Sequence, residues 1–180
     1  MVELVPTLLR QELARLAEDN LRLDGRGQWE GREVTLETDC LYNAEGSAKV
    51  VMGDTIVYAG VKFEIRTPWP DRPAQGSLMC GAELRPVAHR KYEPGPPSPQ
   101  SIELGRVVDR GIRESGCIDM ESLCIVPGEK VWGVMIDIHV LSDGGNVFDA
   151  CGLAAIAALR TAVVLSLIHI SEPTRPRLIS

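Results

Sequence analysis

The stretch SPQSIELGRVVDRGIRESG, residues 98–116, constrains the architecture more than any other part of the chain. Ser98 can cap a first helical turn and Pro99 brings a fixed φ to its first position, while Gly116 stands where a left-handed residue ends a helix. At 100° per residue Leu104, Val107, Val108 and Ile112 share one face, and Arg106, Arg110 and Arg113 form a stripe opposite. The spacing therefore predicts a helix that is half core and half cation.

The arginine stripe reads two ways. Glu103 with Arg106, Asp109 with Arg113, and Arg110 with Glu114 are three or four residues apart, so each guanidinium could be neutralised within the helix for about 0.2–0.5 kcal/mol per pair. Alternatively, three planar forks on one face suit a row of phosphates. Gly105 and Gly111 each cost about 1 kcal/mol relative to alanine, so each predicts a packing reason. Spacing alone leaves both readings open.

Around this helix the pattern alternates with period two. Val34, Leu36 and Thr38 interleave with Glu33, Thr35, Glu37 and Asp39, predicting a strand with one wet face. Residues 46–52 and 55–66 pair across Gly53-Asp54, a two-residue type II′ signal, with Val57, Ala59, Val61, Phe63 and Ile65 on one side. A short strand follows over 78–84, and Pro127-Gly128 predicts a type II turn joining 123–126 to 131–141. In that last strand Trp132, Val134, Ile136, Ile138 and Val140 make an apolar face. Asp137 and His139, two apart on its other side, predict a hydrogen-bonded structural pair rather than an acid/base couple, since no nucleophile or metal accompanies them. Residues 2–20 predict an amphipathic helix whose Leu4, Val5, Leu8, Leu9, Leu13 and Leu16 face a core or, as the lesser reading, dock a partner. Residues 150–162 predict a helix of small side chains suited to close packing on a sheet.

Composition then narrows the function. With 180 residues, 44% of them apolar, the chain suits one domain. A net charge of −6 argues against a protein that holds nucleic acid unaided. Eight aromatic residues leave little for a base-stacking platform. Cys40, Cys80, Cys117, Cys124 and Cys151 form no CxxC pair, and His89, His139 and His169 do not complete a zinc spacing, so neither metal nor cofactor is expected. Scattered thiols, no apolar membrane span and no leader pattern predict a cytoplasmic protein. The loop at 85–97 places Arg85, His89, Arg90 and Lys91 before the stiff EPGPP, which either enlarges the positive patch or is ordinary solvated loop charge.

Several stretches, in order, resemble the ribonuclease PH superfamily, and within it the non-catalytic ring subunits of the archaeal exosome. They are LDGRGQWEGREVTLET, AEGSAKVVMGDTIVYAGVKFEI, YEPGPP, IELGRVVDRGIRES, IDMESLCIVPGEKVWGVMIDIHVL and DGGNVFDACGLAAIAAL. The resemblance implies an α+β fold, a mixed sheet with packed helices of the ribosomal protein S5 domain 2-like kind, over residues 1–164. It implies a hexameric ring of three heterodimers with a catalytic Rrp41-like partner, Rrp4- or Csl4-like RNA-binding caps, and single-stranded RNA shortened from its 3′ end by inorganic phosphate in the partner's active site. It also points to Arg106 and Arg110 as RNA phosphate contacts, then Arg113, with Arg90 and Lys91 in support and no catalytic residue. The alternative is a phosphorolytic 3′-to-5′ exoribonuclease active in its own right. The proline-rich loop at 66–76, with Arg66, Asp71 and Arg72, matches the RNA-gripping loops of catalytic members poorly. From Leu165 the words LSLIHISEPTRPRLIS depart from the family and resemble translated sequencing-adapter DNA, so 165–180 is expected to be a non-native tail.

Overall fold

The computed structural model describes residues 7–164, and the chain divides at Arg32/Glu33 into two compact units. The first holds helix α1 (Thr7–Glu18) and a braced turn. Asn20 takes a φ of 57°, and Leu21 bridges Gly27. Arg22 donates to the carbonyl of Gln28 at 2.7 Å, while Arg26 pairs with Asp24 at 2.7 Å and reaches the carbonyl of Glu30 at 2.6 Å. The predicted core-facing stripe is not buried where it can be followed, since Leu13 remains 41% exposed. One amphipathic helix in so short a unit has no layer of its own to bury against. Leu4 and Val5 lie outside the described residues, as does the 165–180 tail.

The second unit contains β1 (Val34–Thr38), β2 (Gly46–Met52), β3 (Thr55–Arg66), β4 (Ser77–Leu84), α2 (Pro99–Ser115), β5 (Cys124–Val126), β6 (Lys130–Ser142) and α3 (Val147–Thr161). The sheet runs β1-β2-β3-β6-β4, with β5 also on β6. Its ladders are antiparallel except for β4, which runs parallel to β6, so the sheet is mixed as the resemblance implied. Alternation decides what is inside: Val57, Ala59 and Val61 are fully buried beside Val134, Ile136, Ile138 and Val140 of β6. Gly53 takes a φ of 56° while Asp54 stays out of the left-handed region, the signature of the II′ hairpin. Helix α3 lays Ala150, Ala154, Ala155 and Ala158 on the sheet, all fully buried.

Two expectations about burial need correcting. All five residues of β1 are exposed, Val34 and Leu36 at 44% each, because β1 is the sheet margin and α3 passes chiefly over β2 and β3. Helix α2 is capped as predicted, with Ser98 Oγ accepting from the amide of Ser101 and Gly116 at φ 65°. Its buried residues, however, are Ser101, Leu104, Gly105, Val108 and Ile112; Val107, about 120° round the helix from their centre, is half exposed.

Helix α2 lies along β4, the other margin of the sheet. Ser101 Oγ donates to the carbonyl of Ala82 at 2.5 Å, and a guanidinium nitrogen of Arg113 donates to that of Leu78 at 3.0 Å. Between them a methyl group on Gly105 would meet the carbonyl oxygen of Cys80 at 3.2 Å. This is the packing reason for Gly105, and it covers an edge that would otherwise show unpaired carbonyls. Gly111 has nothing within 4 Å of where its Cβ would be.

Candidate nucleic-acid interface

A groove of about 990 Å³ opens between α2 and β4. Leu78, Met79 and Cys80 contribute from the strand; Arg106, Arg110 and Arg113 line it from the helix, with Glu103, Asp109 and Glu114 among them. Arg106 and Arg110 are exposed, and neither makes an ion pair among the described residues, although Glu103 and Glu114 stand at helical spacing from them. The reading in which every arginine is neutralised within the helix therefore fails for these two. They lie one turn apart, about 6 Å along the axis. Cys80 supplies no nucleophile: burial pushes its thiol up to about 12, and the carboxylates of Asp109 and Asp137 add to the shift.

Arg113 is held differently. Its Nε and one terminal nitrogen grip the two carboxylate oxygens of Asp109 at 3.1 and 2.9 Å, and that same nitrogen reaches the carbonyl of Leu78. Of the three arginines the spacing grouped together, two are available and one is engaged.

The basic loop contributes less positive charge than its sequence promised. Arg85 pairs with Glu83, and Lys91 Nζ lies 2.8 Å from Asp143 Oδ2 and 4.9 Å from the centre of the Tyr92 ring. Arg90 is exposed and makes no ion pair among the described residues, but neither it nor Lys91 lines the groove. His139 also departs from expectation. Its Nδ1 stands 3.4 Å from Glu83 Oε2, its cross-strand neighbour on β4, rather than against Asp137.

Sequence reasoning missed Asp143. Its side chain is 7% exposed, accepts from Tyr92 Oη at 2.6 Å, from Lys91, and from the amide of Gly145 at 3.0 Å. The next residue's amide, that of Gly144, donates to the hydroxyl of Thr55, which in turn donates to the carbonyl of Gly145. The loop before α2, the turn before α3 and the start of β3 are thus fastened at one point. No local spacing connects positions 92 and 143.

Burial raises the carboxyl of Asp143, but Lys91, Tyr92 and the Gly145 amide outweigh it and hold it below its usual range. A depressed carboxyl contributes stability above its unfolded pKa and loses it as pH falls through the folded one. Asp143→Asn keeps an acceptor for Tyr92 and loses the ion pair. Because Lys91 is partly exposed, the cost at pH 7 is expected to be about 1 kcal/mol, roughly 3 °C in melting temperature. The gap between variant and wild type should begin to narrow as pH falls below the ordinary carboxylate range and close only as it passes through the lowered pKa of Asp143; a gap independent of pH throughout acid titration would mean that the carboxylate charge is not what the clasp uses.

Comparisons with known proteins bear on the described part of the second unit. Residues 30–164 match the family described as 3′ exoribonuclease family, domain 1 (RNase_PH). The chain is 51% identical over 164 residues to the exosome complex component Rrp42 of Methanosarcina acetivorans, covering 91% of this chain and 62% of that protein. Among solved structures it is similar to the Archaeoglobus fulgidus exosome with RNA bound to the active site, with a TM-score of 0.84, 50% identity, and 87% and 62% of the two chains covered. An archaeal exosome core superposes with a TM-score of 0.81 at 43% identity, covering 96% and 65%. The chain thus spans less than two thirds of the length of these relatives.

Proposed function

Because the chain belongs to the 3′ exoribonuclease (ribonuclease PH) family, we propose that it is a non-catalytic ring subunit of an archaeal-type exosome, contacting RNA while a catalytic Rrp41-like partner shortens it. The observation that carries this reading is the pair of unneutralised guanidinium groups, Arg106 and Arg110, facing a groove on a chain whose net charge is −6. Such a protein binds RNA poorly alone, so its cations serve best as part of an anion site completed by another subunit. Inorganic phosphate acts in the partner's site, Rrp4- or Csl4-like proteins cap the ring, and the assembly works in the cytoplasm. The names of the relatives support the exosome assignment.

The test uses the full-length protein and a labelled oligoribonucleotide in phosphate buffer. Alone, the subunit is expected to release no nucleoside diphosphate; with a catalytic ribonuclease PH-type partner, the oligonucleotide should shorten from its 3′ end. Shortening by the subunit alone would replace this reading with that of an enzyme in its own right.

A further inference from the structure

We infer that Arg113, rather than touching RNA, is a positioning residue that sets how Arg106 and Arg110 face the groove. The inference deepens the RNA-contact reading and rests on it. Two sets of contacts carry it. The bidentate grip on Asp109 spans one helical turn and fixes the guanidinium plane, which leaves a free N–H of that fork to hold the Leu78 carbonyl of β4. At the other end of the same helix the Ser101 hydroxyl holds the Ala82 carbonyl, and Gly105 between them lets the backbone of α2 approach β4. The helix is therefore pinned to the strand at two points, three turns apart, which define its rotation about its own axis. Arg106 and Arg110 lie between those points on the outward side.

A guanidinium already sharing a carboxylate and a carbonyl has little left for a phosphate, and the nearby Asp109 charge repels one. A lysine could keep a charge at position 113, but it lacks the planar fork needed to hold both partners at once.

The experiment turns on the sign of one substitution, Asp109→Asn, in the full-length protein assembled with its partner, with RNA affinity measured well below the melting temperature. A positioning role predicts that Asp109→Asn weakens RNA binding about fivefold, that Arg113→Lys and Arg113→Met do the same, and that the double variant Asp109→Asn with Arg113→Met is no worse than either single one. If Arg113 instead contacts phosphate directly, removing its carboxylate competitor strengthens binding, and that result overturns the inference. Unchanged affinity on Asp109→Asn, with a lowered melting temperature, overturns it as well, since the contact would then be structural only. The variant Arg106→Gln serves as the reference: if it too leaves affinity unchanged, the RNA-contact reading itself has failed rather than the role of Arg113.

Discussion

Replacing Arg106 and Arg110 together by glutamate is expected to weaken RNA binding by assembled rings about 100-fold or more, with ring assembly and melting temperature little changed. Charge-assisted hydrogen bonds contribute about 1.5–3 kcal/mol each, and two would be lost. Neither arginine has an ion pair to lose among the described residues, and both are exposed, so the folded subunit has little reason to respond. Placing Glu near Glu103 and Glu114 costs the helix only about 0.5 kcal/mol per close pair. The salt dependence gives a second readout. With two single-strand phosphate contacts removed, the slope of log affinity against log salt should become shallower by about 1.4. Affinity and slope both equal to wild type would remove the observation on which the RNA reading stands.

A second large effect is expected at Gly46, where β2 begins under the end of α3. A methyl group there would lie 2.5 Å from both Cα and N of Ala162 and would also strike the carbonyl oxygen of Ala158. These are backbone atoms, unable to swing aside, so relief requires α3 to move off a sheet against which Ala154, Ala155 and Ala158 are fully buried. Gly46→Ala is expected to cost about 3 kcal/mol in chemical denaturation. Gly111→Ala is the counterpart, on a helix with open space around the site and an ordinary backbone angle, and should gain about 1 kcal/mol. If the two substitutions had the same sign, close approach of α3 to β2 would not be what Gly46 provides.

These contrasts indicate what can be read from sequence and what cannot. The limits of α2 were legible because Ser98, Pro99 and Gly116 act within a turn of the residues they affect. The hairpin at Gly53-Asp54, the turn at Pro127-Gly128 and the buried row from Val134 to Val140 were legible for the same reason: a dihedral preference or a period of two is a local property. What escaped depends on which elements meet. Val107 satisfied the helical pattern but lies on the flank that β4 leaves uncovered, and Val34 and Leu36 alternate correctly on a margin that α3 scarcely reaches. In the candidate site, the availability of Arg106 and Arg110 and the engagement of Arg113 look identical at three- and four-residue spacing. What separates them is that the Asp109 pair forms and is joined by the Leu78 carbonyl, while, among the described residues, the pairs open to Arg106 and Arg110 do not form. Lys91 was read as part of a positive patch for the same reason, its carboxylate partner being fifty-two residues away in the turn before α3.

The helix laid along β4 also limits how copies of this sheet can join. A sheet with both flanks bare can recruit neighbours left and right and propagate into a ribbon; here α2 takes the β4 margin, which leaves, among the described residues, the five-residue β1 and the three-residue β5. Pairing through β1 would consume the longer vacancy of each participant and leave only the three-residue β5 for a further chain. Runaway fibril growth by strand addition is thereby disfavoured for the described sheet, which directs larger assemblies to its loops, its helices and its broad surfaces.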